Sequence, residues 1–298
     1  MAALEGRVAV VTGASRGLGK AIARGLAREG AAVAVVARTE QVWDARLPGT
    51  ILETVEEIER EGGRAVAIRA DLLVPEDRAR LIEEARAALG PVTLLVNNAA
   101  FTAPGRPPTP GSEAPPARQT AAVPATKPDG DGAAPAKVDW PTFLGTRSGA
   151  YERHFTIGPF AAYELMQLVV PDMIAAGYGS IVNITSGASR MPGDGPYPDR
   201  REGVLAGYGG SKAALEHLTR CAAYDLVDRH IAVNSLSPSK AILTPGVNYY
   251  SKVFEDLGSE EDFAQAVVIL ANADPDQVTG KVVGHLDVLD GSFRPYVY

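Results

Sequence analysis

Cysteine is nearly absent from this chain: among 298 residues, Cys221 stands alone. No internal disulfide framework can form, and such usage fits a reducing compartment. Histidine is scarce as well. His154, His217, His230 and His285 are scattered without metal-ligand spacing, so each reads as an ordinary surface or core histidine and no metal is expected. No apolar stretch approaches the length of a membrane span. Positive charge is not in excess either: 29 Lys and Arg stand against 36 Asp and Glu, a formal net charge of −7. That balance argues against a nucleic-acid partner and gives no reason to expect an anionic membrane as one. The opening run Met1-Ala2-Ala3-Leu4-Glu5-Gly6-Arg7 has neither the charged nor the apolar region of a signal peptide. A cytoplasmic protein is the expectation.

What the chain has is alternation. Hydrophobic residues make up 46%, enough for the core of a large α/β domain. Residues 7–12 form a β-branched run with no polar alternation, as in a strand buried on both faces. Further strands are expected at 32–37, 65–70, 93–96, 180–184, 231–236 and 281–288. Helices are expected at 18–28, 50–61, 75–89, 206–228 and 260–271, with a long one inside 151–176 that Pro159 and Pro171 shorten or kink. Repeated strand–helix units predict an α/β fold: one Rossmann-like, doubly wound domain over 1–298, with a seven-stranded parallel sheet and helices on both faces. Ligands in such folds bind at the carboxyl ends of the strands. Residues 102–138 break the pattern, being rich in Pro, Ala, Gly and Thr. They read as a disordered surface insertion, with a partial lid as the alternative.

Three local patterns carry chemistry. The first strand runs into Thr12-Gly13-Ala14-Ser15-Arg16-Gly17-Leu18-Gly19. Glycines there permit a tight turn and let a backbone approach a pyrophosphate, and the following helix N-terminus offers N–H donors. A bare turn is the other reading. Tyr208 and Lys212 stand four residues apart, just over one helical turn, so phenol and ammonium share a face. A nearby ammonium favours phenolate, so a lowered tyrosine pKa is expected. Ser186 follows the apolar run Ile181-Val182-Asn183-Ile184-Thr185, either as a catalytic hydroxyl or as a plain turn serine.

With these patterns the chain resembles the short-chain dehydrogenase/reductases. The motifs are Thr12-Gly13-x-x-x-Gly17-x-Gly19, Asp71 after the third strand, Asn97-Asn98-Ala99-Ala100 after the fourth, Ser186 after the fifth, Tyr208-x-x-x-Lys212, and Asn234-Ser235-Leu236-Ser237-Pro238 after the sixth. The resemblance implies Tyr208 as general acid/base, Lys212 as the group that tunes it and holds the nicotinamide ribose, and Ser186 as donor to the reacting oxygen. It places the dinucleotide against Gly13, Ser15, Arg16, Gly17, Leu18 and Gly19, with Asp71 and the Leu72 backbone at the adenine, Asn97, Ala99 and Ala100 near the riboses, and Thr244 on the nicotinamide side. Asp71 also reads as a helix cap. The second strand ends in Ala37-Arg38-Thr39, where an acid would repel a 2′-phosphate. Arg38 and Arg16 would pair with that phosphate, or else are merely solvated, and NADP(H) is expected over NAD(H).

The resemblance further implies a homodimer or homotetramer formed through the helices in 151–176 and 206–228, acting on a small carbonyl or alcohol. Three departures stand out. Ser186 and Tyr208 lie 22 positions apart where the family has roughly a dozen. Phe155 occupies the slot of a relay asparagine. Ser239 follows Pro238 where glycine is usual. The expected activity is interconversion of a secondary alcohol and a ketone, with a non-catalytic NADP-binding or scaffold protein as the alternative.

Overall fold

A computed structural model describes residues 3–101, 140–197, 205–248 and 254–296. The expected insertion at 102–138 lies outside the described residues. The fold is a seven-stranded parallel sheet in the order β3-β2-β1-β4-β5-β6-β7. The strands are β1 (Val8–Thr12), β2 (Ala32–Ala37), β3 (Arg64–Arg69), β4 (Leu94–Asn97), β5 (Gly179–Ile184), β6 (Ile231–Ser237) and β7 (Val282–Gly284). The order reverses between β1 and β4, and this opens a crevice at their carboxyl ends.

Every residue of β1, β4, β5 and β6 is buried, which is why these strands lack polar alternation. Two cores result. Ala9 and Val11 face helices α1 (Gly17–Arg28) and α8 (Glu260–Ala271), meeting Ile22, Leu26, Phe263 and Val267. Val8 and Val10 face the other side, with Leu81 and Ile82 of α3 (Pro75–Leu89) and Leu165 and Met173 of α5 (Ala161–Ala176). Each large side chain buried this way contributes about 1.5–3 kcal/mol. Helix α2 (Ile51–Arg60) opens with a reciprocal cap: Glu53 N donates to Thr50 Oγ1 and Thr50 N to Glu53 Oε2, each at 3.1 Å. No described helix is long and apolar enough to cross a membrane.

Three expectations need correcting. Asp71 does not cap α3; Val74 holds the cap position, while Asp71 Oδ1 accepts from the Leu73 amide at 3.1 Å. The long helix is divided into α4 (Ser148–Phe155), a π turn at Thr156–Phe160, and α5. The break falls where Pro159 lacks a donor and Gly158 leaves helical geometry (φ −80°, ψ −107°), whereas Pro171 sits inside an unbroken α5. The last strand stops at Gly284, because His285–Leu289 forms a short helix, α9. Ser239 supplies its cap from a distance: Leu286 N donates to Ser239 Oγ at 3.2 Å, and Ser239 N to His285 Nδ1 at 2.8 Å. The serine in place of the usual glycine therefore ties the end of β6 to the C-terminal segment. Helix α6 (Ala206–Leu226) and the short α7 (Pro245–Asn248) complete the fold.

Candidate active site

The glycine loop leaves β1 and is braced from β4. Thr12 Oγ1 accepts from the amides of Asn98 (3.0 Å) and Ala99 (3.1 Å), and Asn98 Nδ2 donates to Thr12 O at 2.9 Å. The brace is thus Asn98. The expected wall residue Asn97 instead donates its amide to Asn183 Oδ1 at 2.8 Å, in a buried chain that continues to Thr219. Gly17 has φ +53°, and a Cβ there would lie 3.1 Å from Thr244 Cβ. Thr244 therefore closes over the loop, and its hydroxyl accepts from Val247 N at the start of α7. A Cβ on Gly19 would run into the Gly13 carbonyl, so strand and helix meet there only without a side chain. Ser15 is buried, and Leu18 packs against the core.

At the end of β2 two guanidiniums stand together. Arg16 Nη2 donates to Thr39 Oγ1 (3.1 Å) and Gly49 O (3.2 Å). Burial, and then the neighbouring Arg38 charge, pull Arg16 below its usual range, while Asp44 and Glu53 oppose. Arg38 lies 4.0 Å from Asp71 Oδ2. Asp71 is buried, and the Leu72 carbonyl accepts from Arg78 Nη1 at 2.5 Å. The next acid along, Glu40, turns aside to Arg69 at 3.4 Å.

Ser186, Tyr208 and Lys212 come together beyond the carboxyl end of β5. Lys212 is 3% exposed, and its Nζ donates to Ile184 O at 2.6 Å. The same nitrogen lies 5.5 Å from the Tyr208 ring centroid. Burial lowers Lys212 to about 8, with Glu216 opposing. Tyr208 departs from expectation: burial pushes its phenol up, and a hydrogen bond with Ser186 pulls the other way. Ser186 Oγ also accepts from the Ala188 amide at 3.3 Å.

His154 was not foreseen. Its ring lies 6.0 Å from that of Tyr208 and 5.2 Å from that of Phe101, and Phe155 stacks on Tyr151 at 5.0 Å. Burial, then the Lys212 charge, lower His154 to about 4, so the imidazole is neutral near pH 7. Successive positions of α4 both reach α6 because glycines face them. A Cβ on Gly207 would lie 2.8 Å from His154 Cδ2, and one on Gly210 would lie 3.4 Å from Phe155 Cζ. The glycines within α6, unfavourable to a helix by about 1 kcal/mol each, were the available signal.

The model of the family described as "short chain dehydrogenase" matches residues 7–117 and 141–252. The 7alpha-hydroxysteroid dehydrogenase of Escherichia coli (strain K12) is 28% identical over 292 residues, covering 94% of this chain and 92% of that protein. A structure of 7 alpha-hydroxysteroid dehydrogenase complexed with NADH and 7-oxo glycochenodeoxycholic acid is 28% identical, with TM-score 0.68, over 94% of this chain and 93% of that one. A blue fluorescent protein from a metagenomic library, in complex with NADPH, is 29% identical with TM-score 0.69, over 94% and 96%. With that sheet order and a match over most of its length, the chain belongs to the short chain dehydrogenases, NAD(P)-dependent oxidoreductases acting on CH–OH groups.

Proposed function

We propose that this chain interconverts a secondary alcohol and a ketone with NADP(H), using Tyr208 as proton donor and acceptor. The observation that carries the reading is the gathering of Ser186, Tyr208 and Lys212 beside the crevice that opens at β1 and β4. A dinucleotide fits the residues present. Gly13, Gly17 and Gly19 keep side chains out of the loop, and Thr244 covers it. Arg16, Arg38 and Thr39 converge where a 2′-phosphate would lie, and Glu40 is directed away. Ser15, Leu18, Asp71, Leu72, Asn97 and Ala99 would line the remaining length. The bound nucleotide would supply or accept the hydride.

In the reducing direction Tyr208 gives its proton to the substrate oxygen. Its raised pKa keeps the phenol protonated and ready to donate. Lys212, with a pKa of about 8, is mostly ammonium at pH 7 and stabilises the phenolate left behind. The Ser186 hydroxyl donates to the same substrate oxygen as charge develops. The decisive experiment compares wild type with Tyr208→Phe on a panel of ketones and secondary alcohols with each coenzyme. Turnover should fall by about 10³-fold with coenzyme binding retained; equal turnover in the variant would sink the reading. The protein further assembles as a cytoplasmic homodimer or homotetramer through α5 and α6, where Tyr163 and Tyr224 are exposed. Sedimentation and cell fractionation test these two points.

A further inference from the structure

Tyr208, Lys212 and Glu216 follow one another at four-residue intervals on one face of α6. The third member has no part in the proton transfer above, on which this inference rests. Glu216 is nevertheless only 5% exposed, a placement that is unfavourable unless the carboxylate is hydrogen-bonded and paired. Its Oε1 accepts from Thr185 Oγ1 at 2.7 Å, and its Oε2 lies 4.0 Å from Arg190 Nη2. Thr185 is the residue before Ser186. Arg190 ends the 3-10 turn Gly187–Arg190, which begins directly after Ser186. One carboxylate therefore grips the chain on both sides of Ser186 and fastens it to the helix that carries Tyr208. The same negative charge acts on Lys212 against the effect of burial.

We propose that Glu216 is a positioning residue of this site: it fixes Ser186 against Tyr208 through Thr185 and Arg190, and balances the Lys212 ammonium. The two contributions are separable. Glu216→Gln keeps an acceptor for Thr185 and removes the charge. Glu216→Asp keeps the charge and shortens the reach. Thr185→Val removes the Thr185 arm of the grip and leaves the carboxylate and its Arg190 contact in place. The titratable or charged groups facing Lys212 and Glu216 include Tyr208 on α6, His154 on α4 and Arg190 on the turn, and all three are kept in these variants.

The test reads Lys212 directly, in the full chain without coenzyme, by titrating ¹³Cε-labelled lysine and assigning its signal by loss in Lys212→Met. Glu216→Gln should lower the Lys212 midpoint by about one unit, and Glu216→Asp should recover most of that shift. Thr185→Val should leave the midpoint in place while kcat falls about tenfold at unchanged KM for coenzyme. An unmoved Lys212 midpoint in Glu216→Gln would overturn the charge role. An unchanged kcat in Thr185→Val would overturn the grip through Thr185. Should Tyr208→Phe prove fully active, the proton-transfer reading fails, and the Lys212 titration still decides the charge role of Glu216.

Discussion

The two ends of the site are built from different materials. Around the glycine loop the contacts set backbone groups against short side chains: the Asn98 and Ala99 amides donate to Thr12 Oγ1, Asn98 Nδ2 donates to the Thr12 carbonyl, and Gly19 is pressed to the Gly13 carbonyl. Around Tyr208 they are side chains brought from distant elements: His154 from α4, Phe101 beyond β4, and Lys212 and Ser186 from α6 and β5. That cradle is set by the spacing of its glycines and by two small polar residues, Thr12 and Asn98, so it is read directly along the chain. An enclosure of side chains changes its character with single substitutions, as Phe155, stacked on Tyr151 in the slot of the relay asparagine, illustrates. The two ends can therefore be damaged separately.

The largest separation should come from Ser186→Ala. Loss of one donor at the reacting oxygen lowers kcat by about 10²–10³-fold. Coenzyme affinity, followed by nicotinamide fluorescence, should stay near wild type. A matching loss of affinity would mean that the two ends are one unit. The converse damage is Arg38→Asp. Removing one of the two guanidiniums and adding an acid beside Arg16 should weaken NADPH by about 10–100-fold and leave NADH nearly unaffected, since a charge-assisted hydrogen bond contributes about 1.5–3 kcal/mol. Calorimetric titration with both coenzymes checks this, and an unaltered NADPH-to-NADH ratio would show the arginines to be merely solvated.

This contrast also explains what was legible. Strands β1, β2 and β4 to β6 stood out because buried strands of a parallel sheet carry apolar runs, β3 by its short apolar stretch between Arg64 and Arg69, and helices α1 to α3 by the spacing of their apolar positions. The end of β7 did not, because the apolar run through Val282–Gly284 continues into Leu286 and Val288 of the short helix that follows, where the distant Ser239 Oγ accepts from Leu286 N. The division between α4 and α5 was half visible, as Pro159, but not the π turn it occasions. Asn97 and Asn98 are adjacent in a motif that does not say which side chain turns to the loop. Strand pleating decides it, sending Asn97 to Asn183. His154 stayed hidden since nothing local links it to Tyr208. The link runs through Gly207, a position whose meaning lies in the helix packed against it.

Phe155→Asn probes the reaction end without touching a reacting group. The ring loses its stack on Tyr151, which contributes about 0.5–1.5 kcal/mol beyond area. Tm should therefore fall by about 2–4 °C, with coenzyme affinity unmoved. If Tm holds, Phe155 is a tolerated replacement and not a packing element between α4 and α6.

The smallest effect is an acid-side one at His154. In an unfolded chain the imidazole takes up a proton near its ordinary 6.5, whereas in the fold burial and the Lys212 charge hold it to about 4. Between those two values the unfolded state binds more protons than the native one, so stability falls as pH is lowered from 6.5 to 4, and this loss is complete below 4. Above 6.5 the group contributes nothing to the pH dependence. His154→Gln should therefore leave the slope of Tm against pH unchanged at neutral pH and flatten it across the acid window. The flattening is partial, because buried His285 is also lowered, chiefly by burial, and acts in the same direction. An acid slope identical to wild type would place His154 in contact with water in solution, and would remove the enclosure that distinguishes the Tyr208 end from the glycine loop.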